Sequence, residues 1–254
     1  MLFRRKKTPP KVYNTTPQGA IYPLYADMLK QTHLLIAGAT RSGKSVLVNQ
    51  LMHTALYRSP ASIRFILIDC KRGVELRDYA SLPHTLAFCK DKENAIHGLQ
   101  YAIQIMNTRF DEMEKAGVKE YEGSDIYVII DEFADLMTTH KRIVTPLVQS
   151  LSQLAGAAHI HLILCTQCPL RDIIPTYIKC NFDSRIALRT STKQDSRNII
   201  DIAGAETLPN PKTEHRAECL YKSGCEMLRY SLPTYSAEDR QRILEYWRNT
   251  EALA

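Results

Sequence analysis

The 254-residue sequence lacks several features, and each absence excludes a class of protein. No apolar run approaches the roughly 20 residues of a membrane-spanning helix, so the sequence predicts no such span. The basic residues 1–7 lead into Thr8, Pro9 and Pro10 and not into an apolar segment, which argues against a secretory signal. Internal repeats and low-complexity tracts are also missing, which excludes repeat architectures.

Cysteine is present but does not form a metal-binding pattern. Seven cysteines in a chain without a secretory signal indicate reduced thiols and a cytoplasmic protein. Cys165 and Cys168 form a lone C-x-x-C pair, and no second pair follows at ligand spacing. A zinc site would have to use His159 and His161, which lie at the other end of the same predicted strand. The sequence therefore disfavours zinc here.

The overall composition is that of an ordinary globular protein. Hydrophobic residues make up 44% and charged residues 24% of the chain, which is long enough for a substantial core in one domain. The net charge of +6 permits nucleic-acid binding without requiring it. The basic residues 4–7 are interpreted as a solvated, disordered tip, and the alternative is an arm that touches phosphates or an acidic membrane surface.

Residues 33–45 carry the strongest motif, an apolar strand followed by G-x-x-x-x-G-K-S and the start of a helix. Residues 38–45 fit the P-loop pattern, which cradles nucleotide phosphates. Gly38 and Gly43 allow a tight turn that brings backbone N–H groups close to phosphate oxygens. The helix that begins near Lys44 directs its positive dipole end at the same oxygens. The motif therefore predicts a nucleotide-binding protein.

Two side chains of this motif have specific tasks. Lys44 is expected to reach the β- and γ-phosphates, and the Ser45 hydroxyl is expected to hold Mg²⁺. The sequence thus predicts ATP and Mg²⁺ as ligands. The predicted nucleotide-contacting residues are Gly38, Ala39, Thr40, Arg41, Ser42, Gly43, Lys44, Ser45 and Val46.

The other apolar segments predict an α/β fold with a mainly parallel sheet and helices on both faces, because its strands are near-continuous apolar runs. The predicted strands are residues 34–37, 63–69, 85–89, 126–132, 159–167 and 184–189, with a late hairpin of 218–221 and 227–231. The predicted helices are residues 46–56, 91–115 and 143–155, with a short helix from residue 193.

Three parts are expected along the chain. Residues 1–30 form a basic lead segment with a short helical pattern at 25–30. Residues 31–235 form the ATPase core. Residues 236–254 form a C-terminal helix, which opens on a capping-box-like sequence at Ser236 and runs to Trp247.

An acidic pair, Asp131 and Glu132, ends the predicted strand 126–132. Asp131 is placed to hold Mg²⁺ through water, and Glu132 is placed to polarise an attacking water. Gln167 ends the next strand and could sense the γ-phosphate or orient water. We therefore predict an ATP hydrolase with catalytic roles for Lys44, Glu132 and Gln167. The alternative is a solvated acidic pair at a strand end.

Three arginines follow these motifs and are candidates for a cation supplied across a subunit interface, which a ring-forming ATPase needs. They are Arg185, Arg189 and Arg197. Each of them could instead be a structural ion-pair partner within its own chain, and the sequence does not distinguish the three.

Taken together, these motifs resemble the motor domain of the FtsK/SpoIIIE family of DNA translocases, over about residues 33–221. The similarity lies in residues 38–45, 67–76 and 128–137, and most specifically in residues 157–167 together with 181–187 and 195–197. In the second of these segments, Cys70 stands between Asp69 and Lys71 where proline is usual.

The resemblance implies a RecA-like P-loop NTPase core of the ASCE type that forms a hexameric ring around duplex DNA and pumps it by hydrolysing ATP. Some positions depart from the family pattern. Gln153, Gly156 and Cys168 stand where arginines are usual, and residues 210–214 replace a Gly-rich stretch. The sequence shows neither a preceding membrane anchor nor a following winged-helix domain. We therefore expect a smaller relative in plasmid or mobile-element transfer or replication, recruited by a membrane or replication partner.

Two other functions remain open. One is a module similar to the type VII secretion ATPases, which would engage protein substrates and not DNA. The other is a nucleotide-dependent adaptor that hydrolyses ATP slowly. A small-molecule kinase is disfavoured, because the acidic pair followed by a Gln-terminated strand suits hydrolysis and no Arg-rich lid is evident. An ATPase rate indifferent to DNA would favour the secretion alternative over the motor.

Overall fold

The computed structural model describes residues 23–233 and 236–249. It also describes the backbone of three short strands before them, Arg4–Arg5 (β1), Thr15–Thr16 (β2) and Gly19–Ala20 (β3). The proposed arm at residues 4–7 lies outside the described residues, apart from the backbone of β1.

A sheet of nine strands in the order β1-β11-β10-β9-β4-β8-β7-β5-β6 forms the centre of the fold. The six strands from β9 to β6 are parallel, and the hairpin β10-β11 is antiparallel to β9. The strands have these bounds: Leu34–Ala37 (β4), Ile63–Ile68 (β5), Thr85–Cys89 (β6), Asp125–Ile130 (β7), Ile160–Thr166 (β8), Ser184–Ala187 (β9), Ala217–Ser223 (β10) and Glu226–Leu232 (β11).

Eight helices lie in the described part of the chain. They are Pro23–Met28 (α1), Lys44–Arg58 (α2), Lys92–Ala116 (α3), Phe133–Leu154 (α4), Thr176–Lys179 (α5), Lys193–Ile200 (α6), Pro211–Glu214 (α7) and Ala237–Asn249 (α8). No helix among the described residues has both the length and the apolar character needed to cross a bilayer.

Local sequence explains where several helices begin and end. The Asp91 side chain accepts a hydrogen bond from the Asn94 backbone N–H and caps α3, which ends at Gly117 with φ of +69°. Thr192 and Asp195 form a reciprocal capping box at the start of α6. These caps place the helix ends within one or two residues of the sequence prediction.

The prediction of a helix over residues 143–155 was wrong about its start, because α4 begins at Phe133. Inside this helix His140 departs from helical geometry, with φ of −126° and ψ of 27°, and Pro146 follows. The kink separates two helical segments, and polar residues around it break the apolar periodicity. The pattern therefore revealed only the second segment.

Apolar residues form a separate layer on each face of the sheet. Leu47 and Leu51 of α2 pack on one face, and Leu99 of α3 and Val148 of α4 pack on the other. All four side chains are at most 1% exposed. This arrangement confirms the predicted α/β fold with helices on both faces of a mainly parallel sheet.

The first and the last described helices pack against the same apolar cluster as α2. Tyr25 and Met28 of α1 and Leu244 and Trp247 of α8 belong to the same cluster of buried side chains. The Tyr25 hydroxyl donates a hydrogen bond to the Pro233 carbonyl at 2.5 Å. The division of the chain at about residues 30 and 235 remains a prediction.

Candidate nucleotide site

The carboxyl ends of four parallel strands meet at one edge of the sheet. β4 leads into residues 38–43, β8 into Gln167, β7 into Asp131, and β5 into Asp69. The pairing registers align these ends: Ala37 lies beside Thr166, Ile130 beside Leu164, and Ile68 beside Ile130. Loops at this edge are where open α/β sheets bind ligands.

The turn after β4 has no room for side chains at its tightest point. A Cβ atom added at Gly38 would lie 2.7 Å from both the Leu188 Cβ and the Ser42 Oγ. Gly43 has φ of +101°, a left-handed conformation that glycine adopts without strain. The Ala39 N–H donates to the Arg189 carbonyl at 2.8 Å and anchors the turn to the strand next to β4.

Lys44 is buried at the first position of α2, only 7% exposed. Its Nζ donates hydrogen bonds to the carbonyls of Gly38 at 2.9 Å and Ala39 at 3.4 Å. Burial lowers the pKa of Lys44, and the nearby Glu132 carboxylate opposes that effect. The Lys44 ammonium group therefore lies against the loop that the sequence predicts to bind phosphates.

The other predicted loop residues surround Lys44. Ser45 is half-buried at the second position of α2, and the Ser42 hydroxyl is buried without a hydrogen-bond partner among the described residues. Val46 is 46% exposed, so only its backbone faces the loop. Arg41 has φ of +64° and an exposed side chain.

Asp131 and Glu132 are almost completely buried at the end of β7, at 3% and 4% exposure. Glu132 Oε1 accepts hydrogen bonds from Thr166 Oγ1 at 2.8 Å and from the Gln167 N–H at 2.9 Å. In contrast, Asp131 Oδ2 and Glu132 Oε2 accept no hydrogen bond from any described residue. Burial raises the pKa of Asp131 to about 6, although the Lys71 ammonium opposes this. A solvated pair, the alternative interpretation, does not fit this burial.

Lys71 belongs to the site although the sequence analysis gave it no role. Its Nζ lies 3.6 Å from Asp131 Oδ2 and 3.5 Å from Glu132 Oε2. Burial lowers the pKa of Lys71, but the two carboxylates outweigh it and raise the pKa above its ordinary value. The feature of the sequence that could have identified Lys71 was its position two residues after Asp69. Its meaning depends on β5 being the neighbour of β7, which the sequence does not show.

Gln167 links the turn after β4 to the end of β8. Its side-chain Oε1 accepts a hydrogen bond from Thr40 Oγ1 at 2.6 Å. Because its backbone N–H also donates to Glu132, Gln167 touches both the phosphate loop and the acidic pair. Its role, to sense the γ-phosphate or to orient water, stays a prediction.

The three candidate arginines have different surroundings. Arg185 is buried, and its guanidinium contacts Asp201 at 2.7 Å and the Phe182 carbonyl at 2.8 Å, which disfavours a role in another subunit. Arg189 donates to the Leu208 carbonyl at 2.8 Å. The exposed Arg197 side chain makes no hydrogen bond or ion pair with the described residues, and it lines a cavity of about 450 Å³. Of the three, only Arg197 has a free guanidinium.

One departure from the family pattern, Gly156, has a local explanation. A Cβ atom at Gly156 would lie 2.6 Å from the Thr32 Cγ2, so this position accepts no larger side chain without movement. The Cys168 N–H donates to Thr166 Oγ1 at 3.1 Å, while Cys165 is fully buried one residue before Thr166. The histidines of the discarded zinc hypothesis lie at the opposite end of β8 and contact Asp125.

The arrangement fits a nucleotide with a divalent cation. The phosphate loop offers backbone N–H groups, the Lys44 ammonium and a close approach at Gly38. Oxygens are the ligands that Mg²⁺ prefers, and the unpartnered Asp131 oxygen stands at the edge that also carries Ser45. Such buried unpartnered oxygens are costly unless a ligand satisfies them.

Comparison with known proteins agrees with this site. Residues 4–207 match the FtsK/SpoIIIE family. The chain belongs to that family. The DNA translocase FtsK of Caldanaerobacter subterraneus subsp. tengcongensis is 42% identical over 195 residues, which cover 72% of this chain and 27% of that protein. The DNA translocase FtsK of Chlorobaculum tepidum is 41% identical over 203 residues, which cover 72% of this chain and 25% of that protein. This chain therefore matches about a quarter of those relatives.

Solved structures show the same fold. The pCW3 conjugation coupling protein TcpA, in its monomer form with ATPγS, has a TM-score of 0.72 and 25% identity, over 86% of this chain and 66% of that one. The cytoplasmic domain of the Thermomonospora curvata type VII secretion ATPase EccC has a TM-score of 0.75 and 21% identity, over 86% of this chain and 28% of that one. The predicted family and RecA-like fold are confirmed, and the family match together with the similarity to TcpA supports an ATPase activity.

Proposed function

We propose that this chain is an ATP-hydrolysing motor that translocates duplex DNA as a hexameric ring in the cytoplasm, in the transfer or replication of a plasmid or mobile element. The observation that carries the hydrolytic part is the buried acidic pair beside the phosphate loop, in which one oxygen of each carboxylate accepts no hydrogen bond from the described residues. Membership of the FtsK/SpoIIIE family supports DNA as the substrate that the motor moves.

Each residue of the site has a role in the proposed reaction. Lys44 and the backbone of residues 38–46 bind the phosphates, and Ser45 and Asp131 hold Mg²⁺, which neutralises charge on the phosphates. Glu132 is oriented through its Oε1 by Thr166 and keeps its Oε2 free to accept a proton from the attacking water. Gln167 links the conformation of the phosphate loop to the position of Glu132, because it contacts both.

The test is ATP hydrolysis by the chain with and without duplex DNA. We expect DNA to stimulate the rate many-fold at low salt. Added salt should weaken this stimulation, because cations compete for the phosphate contacts. A rate that is indifferent to DNA across the salt range would contradict the motor and favour a module that engages protein substrates.

One variant and a control test the phosphate loop within the same assay. Lys44→Ala should abolish nucleotide binding or turnover, because it removes the cation of the phosphate loop. Exposed Lys119 lies after α3, away from the site, and Lys119→Ala should behave as the unmodified chain does. Mass measurement with an ATP analogue tests the ring. A strict monomer at working concentration would remove the need for a trans-acting arginine such as Arg197.

A further inference from the structure

Lys71 forms ion pairs with the acidic pair at distances longer than those of charge-assisted hydrogen bonds. Its Nζ stands 3.6 Å from Asp131 Oδ2 and 3.5 Å from Glu132 Oε2, the two oxygens that accept no hydrogen bond from the described residues. Charge-assisted N–H···O bonds are about 2.7–2.9 Å long. The ammonium therefore balances both carboxylates without making a close hydrogen bond to either one.

The backbone around Lys71 is held in place by a different carboxylate. Asp69 is fully buried, and its Oδ1 accepts from the Lys71 N–H at 3.0 Å. Its Oδ2 accepts from the N–H groups of Glu75 at 2.8 Å and Leu76 at 3.0 Å. Because the backbone is fixed and the Lys71 side chain is 34% exposed, the ammonium can leave the carboxylates without unfolding the loop.

Two lysines face the acidic pair, and the carboxylate of Asp69 adds a third negative charge beside it. Lys44 and Lys71 supply two positive charges, and Asp131 and Glu132 supply two negative charges, all at one sheet edge. A divalent cation held through Asp131 would bring two more positive charges to the same oxygens. Like charges at such distances repel strongly in a buried site.

We propose that Lys71 is a positioning residue that stands in for the divalent cation in the nucleotide-free site, and that Mg²⁺ displaces its ammonium from Asp131. This inference rests on the proposed function, in which Mg²⁺ accompanies ATP at Asp131. Lys71 then keeps the acidic pair in place for the cation and competes with the cation for it. Removal of the Lys71 charge strengthens cation binding, which a merely structural lysine would not do.

The experiment measures cation affinity and not turnover. Binding of a fluorescent, slowly hydrolysed ATP analogue to the full chain is followed at pH 8 while Mg²⁺ is titrated. Lys71→Met should lower the Mg²⁺ concentration for half-maximal binding by about threefold to tenfold, because the competing charge is gone. Lys71→Arg, which keeps the charge, should stay near the unmodified value. Lys119→Met, a matched loss of one exposed lysine, should not change it.

A second measurement uses Mn²⁺ alone, with free Mn²⁺ observed by electron paramagnetic resonance. We expect tighter Mn²⁺ binding by Lys71→Met than by the unmodified chain, and Lys71→Gln gives the same comparison should the Met variant not fold. An unchanged or weaker cation affinity in the folded variant overturns the inference. Failure of the unmodified chain to bind the analogue at any Mg²⁺ concentration would instead contradict the proposed function, and the Mn²⁺ result would still decide the role of Lys71.

Discussion

The two ends of strand β7 carry an aspartate each, and the two carboxylates have opposite environments. Asp125, at the amino end, accepts from His161 Nε2 at 3.0 Å and lies 3.3 Å from His159 Nδ1. Burial raises the pKa of Asp125, but the hydrogen bond from His161 and the surrounding positive charges outweigh it and lower the pKa below its usual range. Asp131, after the carboxyl end, has its pKa raised to about 6 by burial.

The difference between the two aspartates distinguishes charged groups that stabilise the fold from charged groups that are available to a ligand. At the amino end every buried charge has partners from the protein: Arg109 donates to the Ala158 carbonyl at 2.7 Å and to Ser124 Oγ at 3.1 Å, and it stacks 4.2 Å above the Tyr121 ring. At the carboxyl end, Asp131 Oδ2 and Glu132 Oε2 accept no hydrogen bond within the described part of the chain. Buried polar atoms without hydrogen bonds from the protein indicate a site where a ligand supplies the missing interactions.

The largest effect should come from Glu132→Gln. It keeps the size of the side chain but removes the group that accepts a proton. We expect nucleotide binding to persist while hydrolysis falls by about 100-fold or more, the usual scale for general-base catalysis. Single-turnover hydrolysis and analogue binding measure the two properties separately, with Asp125→Asn as the control at the other end of the strand. Retained turnover would remove Glu132 from its role.

Arg109→Leu tests the partnered amino end. The change leaves the Ala158 carbonyl and Ser124 without their donor, and it removes a buried cation beside Asp125. We expect the free energy of unfolding to fall by about 3 kcal/mol, as when one partner of a buried charged network is removed. Urea unfolding measures this. Nucleotide binding per folded molecule should not change, and a specific loss of binding would show that the two ends are coupled.

Asp131→Asn should stabilise the nucleotide-free protein by about 2 kcal/mol at pH 8, because a raised pKa of about 6 makes the ionised carboxylate costly. A carboxyl whose folded pKa is raised contributes stability below its unfolded pKa and loses it as the pH rises through about 6. The gain of the variant should therefore be largest above that pH and shrink toward pH 4. Urea unfolding at several pH values tests this, and a gain that does not depend on pH would be the contrary result.

The smallest effect is expected for Asp125→Asn, with the opposite dependence on pH. A carboxyl whose folded pKa is lowered stabilises the fold above its unfolded pKa, about 4, and the contribution is lost as the pH falls below that value. The variant should be less stable by about 1 kcal/mol from pH 5 to pH 8, the typical cost of a lost hydrogen bond. The deficit should shrink in acid. Equal pH profiles for the Asp125 and Asp131 variants would remove the contrast between the two ends.

Much of the fold was predictable because its signals are local. The phosphate loop and the apolar strands depend on residues close together in sequence, and the structure places them as predicted. The start of α4 was not predictable from periodicity, because the kink at His140 interrupts the pattern.

The site was predictable residue by residue but not as an arrangement. Asp131, Glu132 and Gln167 were identified because each follows an apolar strand. The sequence did not show that Thr166 orients Glu132, that Thr40 contacts Gln167, or that Lys71 reaches the acidic pair. Those contacts join segments up to 127 residues apart, and no local pattern encodes them.

By itself, the sequence determined which chemical groups are available at the sheet edge. The spaced glycines, one lysine and the acidic pair supply these groups, and residue type alone fixes them. Tertiary structure decided which of these groups have partners. The order β4-β8-β7-β5 brings the phosphate loop, Gln167, the acidic pair and Lys71 side by side. Strand order results from packing between distant segments, so only the folded chain shows that Asp125 accepts a hydrogen bond from His161 while Asp131 Oδ2 accepts none from the described residues.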